Sequence, residues 1–183
     1  MADITPGKIL IADPFLKDPN FTRTVIFICE HQQDGSFGFV LNKKYDQHLG
    51  ELIVDLEDSD FPVYFGGPVQ LDTVHFLHNC PELVPGGFEV AAGIYWGGDF
   101  QEVVQLIKAG KLTDKDIRFF IGYSGWGEGQ LVEEMKEKSW ITSEGTQELI
   151  FIKNIADTWK VALKNLGGEY VQMVNYPIDP QLN

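Results

Sequence analysis

Ile117-Arg118-Phe119-Phe120-Ile121-Gly122-Tyr123-Ser124-Gly125-Trp126-Gly127-Glu128-Gly129-Gln130-Leu131 is the stretch on which the fold turns. Its apolar opening, Ile117 to Tyr123, predicts a strand. Glycines at 122, 125, 127 and 129 predict a tight corner where backbone can approach its neighbours closely. Gln130 to Lys138 then predicts a helix, with glutamates toward its start and lysines toward its end, in keeping with the helix dipole. Strand, corner and helix follow one another here without a regular βαβ rhythm.

The flanking sequence repeats that mixture. Gly7 to Ala12 reads as a first strand. Asp13-Pro14 and Asp18-Pro19 bracket a loop, because each proline pushes the preceding residue out of helical geometry. Thr22 to Glu30 is β-branched and apolar, Asp34-Gly35 is a turn signal, and Ser36 to Leu41 is the return strand of a hairpin. Asn42 to Glu51 reads as a polar connection leading into a short helix or turn. Phe61 to Phe65, Thr73 to His78 and Phe88 to Trp96 supply further strand segments, with a loop over 79–87. Asp99 is a good N-cap for a helix carrying Phe100, Val103, Val104 and Ile107, closed near Gly110. Ser139 to Thr142 is a candidate strand. Thr146 to Ile152 and Asn154 to Leu166 read as helices, and the tail from Tyr176 as irregular. Many strands with a few helices predict an α+β domain with a mixed or antiparallel sheet, one domain over residues 1–183.

With 44% hydrophobic and 13% aromatic residues, a real core is possible without disulfides or metal. Net charge is −13, which repels phosphate backbones and anionic lipid, so direct nucleic-acid binding is not expected. No apolar run is long enough to span a membrane, and no secretory signal opens the chain, so the expected compartment is the cytoplasm. Cys29 and Cys80 are expected to be reduced, half-buried thiols.

The glycine-rich corner offers two chemistries and completes neither. Gly122-Tyr123-Ser124-Gly125 begins like a nucleophile elbow, but Trp126 stands where that motif needs glycine. His31, His48, His75 and His78 all precede Ser124, against the chain order of that hydrolase fold. Ser124 therefore reads as a turn serine bonding local backbone. A phosphate loop would need Lys and Ser/Thr where Glu128 and Gly129 stand. The helix start near Gly127 presents free N–H groups, and Glu128 is placed to satisfy them. As a ligand site the corner would use Ser124, Trp126, Gly127 and Gly129.

Elsewhere, His75 and His78 sit three apart on a strand and point to opposite faces, so they cannot chelate together. Cys29 and His31 are expected to share a face, which by itself makes no metal site. No cofactor or metal is expected. Arg23, at a loop-to-strand junction, could clamp a carboxylate or phosphate or form a structural ion pair. The hairpin would bring His31, Asn42 and Lys43 near it, giving one polar cluster worth testing as a ligand site. Glu133, Glu134 and Glu137 read as a solvated helix face.

The chain resembles the YqgE/AlgH family of small bacterial proteins. The matching residues run from Gly7-Lys8-Ile9-Leu10-Ile11-Ala12-Asp13-Pro14 through Asp18-Pro19-Asn20-Phe21-Thr22-Arg23-Thr24-Val25, His31 and Gly35-Ser36-Phe37-Gly38-Phe39-Val40-Leu41-Asn42-Lys43. They continue with Phe65-Gly66-Gly67-Pro68-Val69, then Gly122 to Leu131 and Trp140. Lys44 and Glu128 stand where the family commonly has proline, and Val132 where it has glutamate. The resemblance implies a mixed sheet bent into a pseudo-barrel with flanking helices. It implies no catalytic residues, and some members carry the label of transcriptional regulators. The expectation is a non-enzymatic domain that binds a small ligand or protein and acts in regulation. The alternative is an enzyme of unrecognised type using Arg23, His31 and Asn42.

Overall fold

A computed structural model describes residues 4–178. The residues expected to form an irregular tail lie partly outside that range, from 179 onward. Ten strands form the sheet: β1 (Lys8–Ala12), β2 (Val25–Gln32), β3 (Gly35–Val40), β4 (Lys44–His48), β5 (Pro62–Phe65), β6 (Val69–His78), β7 (Phe88–Ala91), β8 (Ile94–Trp96), β9 (Ile117–Gly127) and β10 (Trp140–Glu144). The helices are α1 (Leu49–Leu52), α2 (Phe100–Lys108), α3 (Gln130–Lys136), α4 (Gln147–Ile150), α5 (Thr158–Leu166) and α6 (Tyr170–Met173).

The main path runs β10-β1-β2-β3-β9-β6-β8-β7, all antiparallel, while β5 joins β9 in parallel and carries β4 at its edge. The result is an α+β fold with a mixed sheet curled into a half-barrel. β9 pairs with β3 through its C-terminal half, from Ser124 to Gly127, and with β5 and β6 mainly through its N-terminal half. The chain bends where those two sets of partners meet.

Three apolar clusters explain why the strands read as nearly continuous hydrophobic runs. Ile9 and Ile11 of β1 with Val25 and Phe27 of β2 face a cluster closed by Leu149, Ile150, Trp159, Ala162 and Leu163 of α4 and α5. Leu10, Ala12, Ile26 and Ile28 face the opposite cluster, closed by Leu131 of α3 with Trp126 and Trp140. Both faces of β1 and β2 are therefore covered, which removes the usual apolar-polar alternation. Ile117, Phe119 and Ile121 of β9 pack into a third cluster against Val103, Val104 and Leu106 of α2. Asp99 caps α2 as expected, its Oδ1 accepting from Gln101 N at 3.0 Å and Glu102 N at 3.2 Å.

Four readings change. The expected corner at Gly122 to Trp126 is strand, because β9 continues to Gly127 and only the glycines bend it. The polar link after Asn42 contains strand β4, hidden in the sequence because its residues are largely exposed at a sheet edge. β2 begins at Val25 rather than Thr22, since Arg23 sits in the left-handed region at φ 53° and ends a turn. The two cysteines are more than half-buried, with Cys29 2% and Cys80 5% exposed.

Burial raises the Cys29 thiol well above the ordinary value, with the Glu30 carboxylate adding to it, and pushes Cys80 up to about 11. Alkylating reagent at pH 8 should therefore label neither thiol in the native protein and both in urea. Mass spectrometry after a short pulse checks this, and rapid native labelling at Cys29 would contradict its burial.

Candidate functional site

The structure divides the residues singled out by sequence. Arg23, Asn42 and Lys43 do come together, and they hold backbone. Asn42 Nδ2 donates to the Arg23 carbonyl, and Asn42 Oδ1 accepts from the Val25 N–H, both at 2.9 Å. These two bonds bracket Arg23 and steady its left-handed conformation. Lys43 Nζ donates to the carbonyls of Pro19 and Asn20, each at 2.7 Å. Arg23 Nη2 donates to the Tyr176 carbonyl, and the guanidinium carbon lies 4.6 Å from the centre of the Trp159 ring. Burial lowers the pKa of both Arg23 and Lys43, with Asp18 pulling Lys43 the other way. The cluster fastens the loop before β2 and the C-terminal segment to the sheet.

His31 is not part of that cluster. It lies six residues beyond Val25 along β2, about 20 Å away at the usual strand rise. Its Nδ1 is 2.6 Å from Ser36 Oγ across the hairpin. It does not share a face with Cys29 either. A bulge between Ile28 and Glu30 makes Glu30 oppose Phe37 and His31 oppose Ser36. Ser36 in turn opposes Trp126, whereas Cys29 packs with Phe27 in the other cluster.

The glycine-rich stretch is also internally engaged. Ser124 is fully buried, and its Oγ donates to the Gly66 carbonyl at 3.1 Å, a long-range bond rather than the local one expected. Trp126 Nε1 donates to Glu134 Oε2 at 3.0 Å, and Trp140 Nε1 donates to the same oxygen at 2.8 Å. Glu134 is thus an acceptor clamped between two indoles, not a solvated face residue. Gly127 N–H donates to Gln130 Oε1 at 3.1 Å, so Gln130 rather than Glu128 satisfies it. Gly129 is the N-cap of α3 at φ 70°.

An open cleft of about 520 Å³ lies beside this stretch. Phe37 of β3, His75 of β6, Trp96 of β8 and Tyr123 of β9 line it, with Val69, Gly125 and Trp126. The first four are half-buried, and each lines the cleft. Ring centres are 4.9 Å apart for Phe37 and Trp96, 6.3 Å for Trp96 and His75, 6.1 Å for His75 and Tyr123, and 5.8 Å for Tyr123 and Phe37. The four close into a ring of rings over Phe39, whose own ring lies 6.0 Å from Phe37 and 5.2 Å from His75. Desolvation lowers the pKa of His75, so it is a neutral aromatic at pH 7. Among the described residues no group of three or more His, Cys, Asp and Glu could hold a metal ion. No described helix is long and apolar enough to cross a membrane.

The sequence profile of the AlgH-like family matches residues 9–171. This chain belongs to the AlgH-like family. A UPF0301 protein of Chlorobium limicola is 43% identical over 180 residues, covering 98% of this chain and 96% of its own. One from Cytophaga hutchinsonii is 40% identical over 181 residues, covering 98% and 100%. The solution structure of the AlgH protein from Pseudomonas aeruginosa is 27% identical with a TM-score of 0.72, covering 97% and 98%. The crystal structure of a Corynebacterium diphtheriae protein shares the fold at a TM-score of 0.81 and 21% identity, over 95% and 93%.

The aromatic quartet of this AlgH-like chain was not legible as a motif. Its members come from four strands and are spread between positions 37 and 123. Tyr123 is the one member inside the stretch quoted first. Phe37 and Phe39 stand two apart in β3, and Phe37 is half-buried where Phe39 is fully buried.

Proposed function

We propose that this AlgH-like domain is a binding module whose ligand site is the cleft between β3, β6, β8 and β9, and that it acts in regulation through that ligand or a protein carrying it. The carrying observation is the closed quartet of aromatic rings from half-buried residues that line one cleft. Apolar, concave sites with a few polar groups at the edge are the usual form of small-ligand pockets. The engagement of Ser124 Oγ, Arg23 Nη2 and the Asn42 amide supports binding over catalysis, since these atoms already serve the scaffold. Trp126 is carried into this reading only as a residue at the margin of the cleft, because its indole turns to the opposite cluster and Glu134. A net charge of −13 supports a partner other than nucleic acid.

Ligand-observed NMR with a library of small amines, acids and aromatics tests the reading. Wild type, Trp96→Ala and Lys43→Ala are compared after a melt shows that each is folded. Binders should be lost in Trp96→Ala and retained in Lys43→Ala. Binders lost only in Lys43→Ala would move the site to the loop before β2, and an absence of binders would count against a ligand site in the cleft.

A further inference from the structure

We infer that the cleft takes an alkylated ammonium group, the head of a small organic cation, seated against Phe37, His75, Trp96 and Tyr123 with Glu30 and Asp34 as counter-charges. This rests on the reading of the cleft as the ligand site and goes further by naming the ligand's chemistry.

Geometry supplies the first argument. A cation is attracted by a ring when it lies within about 6 Å of its centre. Neighbouring centres in the quartet are 4.9 to 6.3 Å apart, so one ammonium group in the cleft falls within range of more than one ring. Three of the four neighbouring pairs are steeply inclined, at 64°, 70° and 89°, so the rings turn different edges and faces toward the same space. A weakly hydrated alkylammonium gives up little solvation to enter such a place, and recognition of quaternary ammonium by grouped aromatics follows from that.

Charge supplies the second. The residues lining the cleft include the carboxylates of Glu30 and Asp34 and no lysine or arginine. Both acids are exposed, and a negatively charged ligand would meet both of them. His75 adds no opposing charge, since its burial favours the neutral ring. The two acids are also not arranged to chelate a bare metal ion with a third ligand among the described residues.

Backbone architecture supplies the third. Without the bulge in β2, Cys29 alone would oppose Phe37, and Glu30 would turn to the other face with Ser36. The bulge places Glu30 opposite Phe37 instead, on the cleft side. Bulges re-aim side chains and recur beside functional sites. The irregularity that overturned the expected facing of His31 is the same one that delivers a carboxylate to the rings.

The test compares choline with 3,3-dimethylbutan-1-ol, its uncharged isostere, by quenching of tryptophan fluorescence and by isothermal titration. A peptide carrying trimethyl-lysine distinguishes a protein-borne head group from a free one. Choline should bind at least about tenfold tighter than the isostere, a difference of the size expected for a partly desolvated cation over aromatic faces. The double variant Glu30→Gln, Asp34→Asn alters only exposed side chains and should fold normally. It should weaken choline about tenfold and leave the isostere unchanged. Tighter binding of the trimethyl-lysine peptide than of choline supports the same chemistry on a protein. Equal affinity for choline and isostere overturns the cation inference while leaving the cleft as a ligand site. Binding of neither choline nor the peptide also overturns it, and the library screen separately decides the fate of the cleft. Choline binding that survives both Trp96→Ala and the charge variant places it elsewhere and overturns the inference as well.

Discussion

Gly67→Ala should destabilise the protein by about 4 kcal/mol, a large part of what a domain of this size has to lose. At this position the link Gly66-Gly67 between β5 and β6 passes β9 with backbone against backbone. A Cβ on Gly67 would lie 2.1 Å from the Tyr123 carbonyl carbon and 2.3 Å from Ser124 N. Neither is the end of a flexible side chain, so relief requires moving β9 itself. The residue also has φ 153°, outside the comfortable range of a substituted residue. The partner across the gap is under the same constraint. A Cβ on Gly122 would meet the Gly67 carbonyl oxygen at 2.4 Å, and its φ is 66°. Gly127 is the internal control. It belongs to the same glycine-rich stretch, yet nothing lies within 4 Å of a Cβ built there. Gly127→Ala should therefore change stability by less than about 1 kcal/mol. Urea unfolding of the two variants separates the cases. Equal losses would mean that the crossing is not what makes the stretch sensitive.

Glu134→Ala should cost about 3 kcal/mol, far more than a glutamate on a short helix ordinarily carries. One carboxylate oxygen accepts from both Trp126 and Trp140, and those indoles are 6% and 4% exposed. Removing the acceptor leaves two donors facing an apolar cluster with no partner, and the cost of an unmade bond exceeds the gain of a made one. The second oxygen accepts from Gln130 Nε2 at 3.0 Å, which in turn reaches back to Gly127, so the start of α3 loosens too. Glu134→Gln keeps an oxygen that can serve both indoles and should cost about 1 kcal/mol. Because the two tryptophans report on the same atom, their fluorescence should change in the alanine variant before unfolding begins. A loss in Glu134→Gln as large as in Glu134→Ala would show that charge, rather than an acceptor at that point, is what the indoles need.

Much of the fold could be read from the chain because its signals are local. Asp99 before Phe100, Val103 and Val104 specifies a capped amphipathic helix within a dozen residues, and α2 forms there. The hairpin of β2 and β3 follows from Asp34-Gly35 between two apolar runs. β4 escaped because an exposed edge strand such as Lys44–His48 has no buried face to impose alternation on its residues. The corner at Gly122 misled for a different reason. Glycines at a bend inside a strand look like glycines in a turn, and only the crossing with Gly66 and Gly67 tells them apart. The candidate site was less legible still. Arg23, Asn42 and Lys43 have the side chains of a ligand clamp, but whether those atoms face a ligand or a neighbouring carbonyl depends on where the loop from Asp13 to Arg23 lies. The cleft depends on the curl of the sheet, which brings together residues that share no segment.

Strand β9 has one more consequence, and it concerns when the protein can fold. β3, β5 and β6 all come earlier in the chain, and each waits for β9 as a neighbour. β1 waits longer, since its outer partner is β10 at residues 140–144. Pairings that join such distant stretches must close large loops before any reward arrives, and chains built on them fold slowly. On the ribosome, the first hundred residues would emerge as hairpins with open edges and an uncovered apolar face. Only when the glycine-rich strand leaves the exit tunnel can the two halves of the sheet be joined. The glycine-rich strand is thus the piece that joins the two halves of the sheet, with β10, α4 and α5 still to close on it, and truncation just before it should leave a product that depends on chaperones or is degraded.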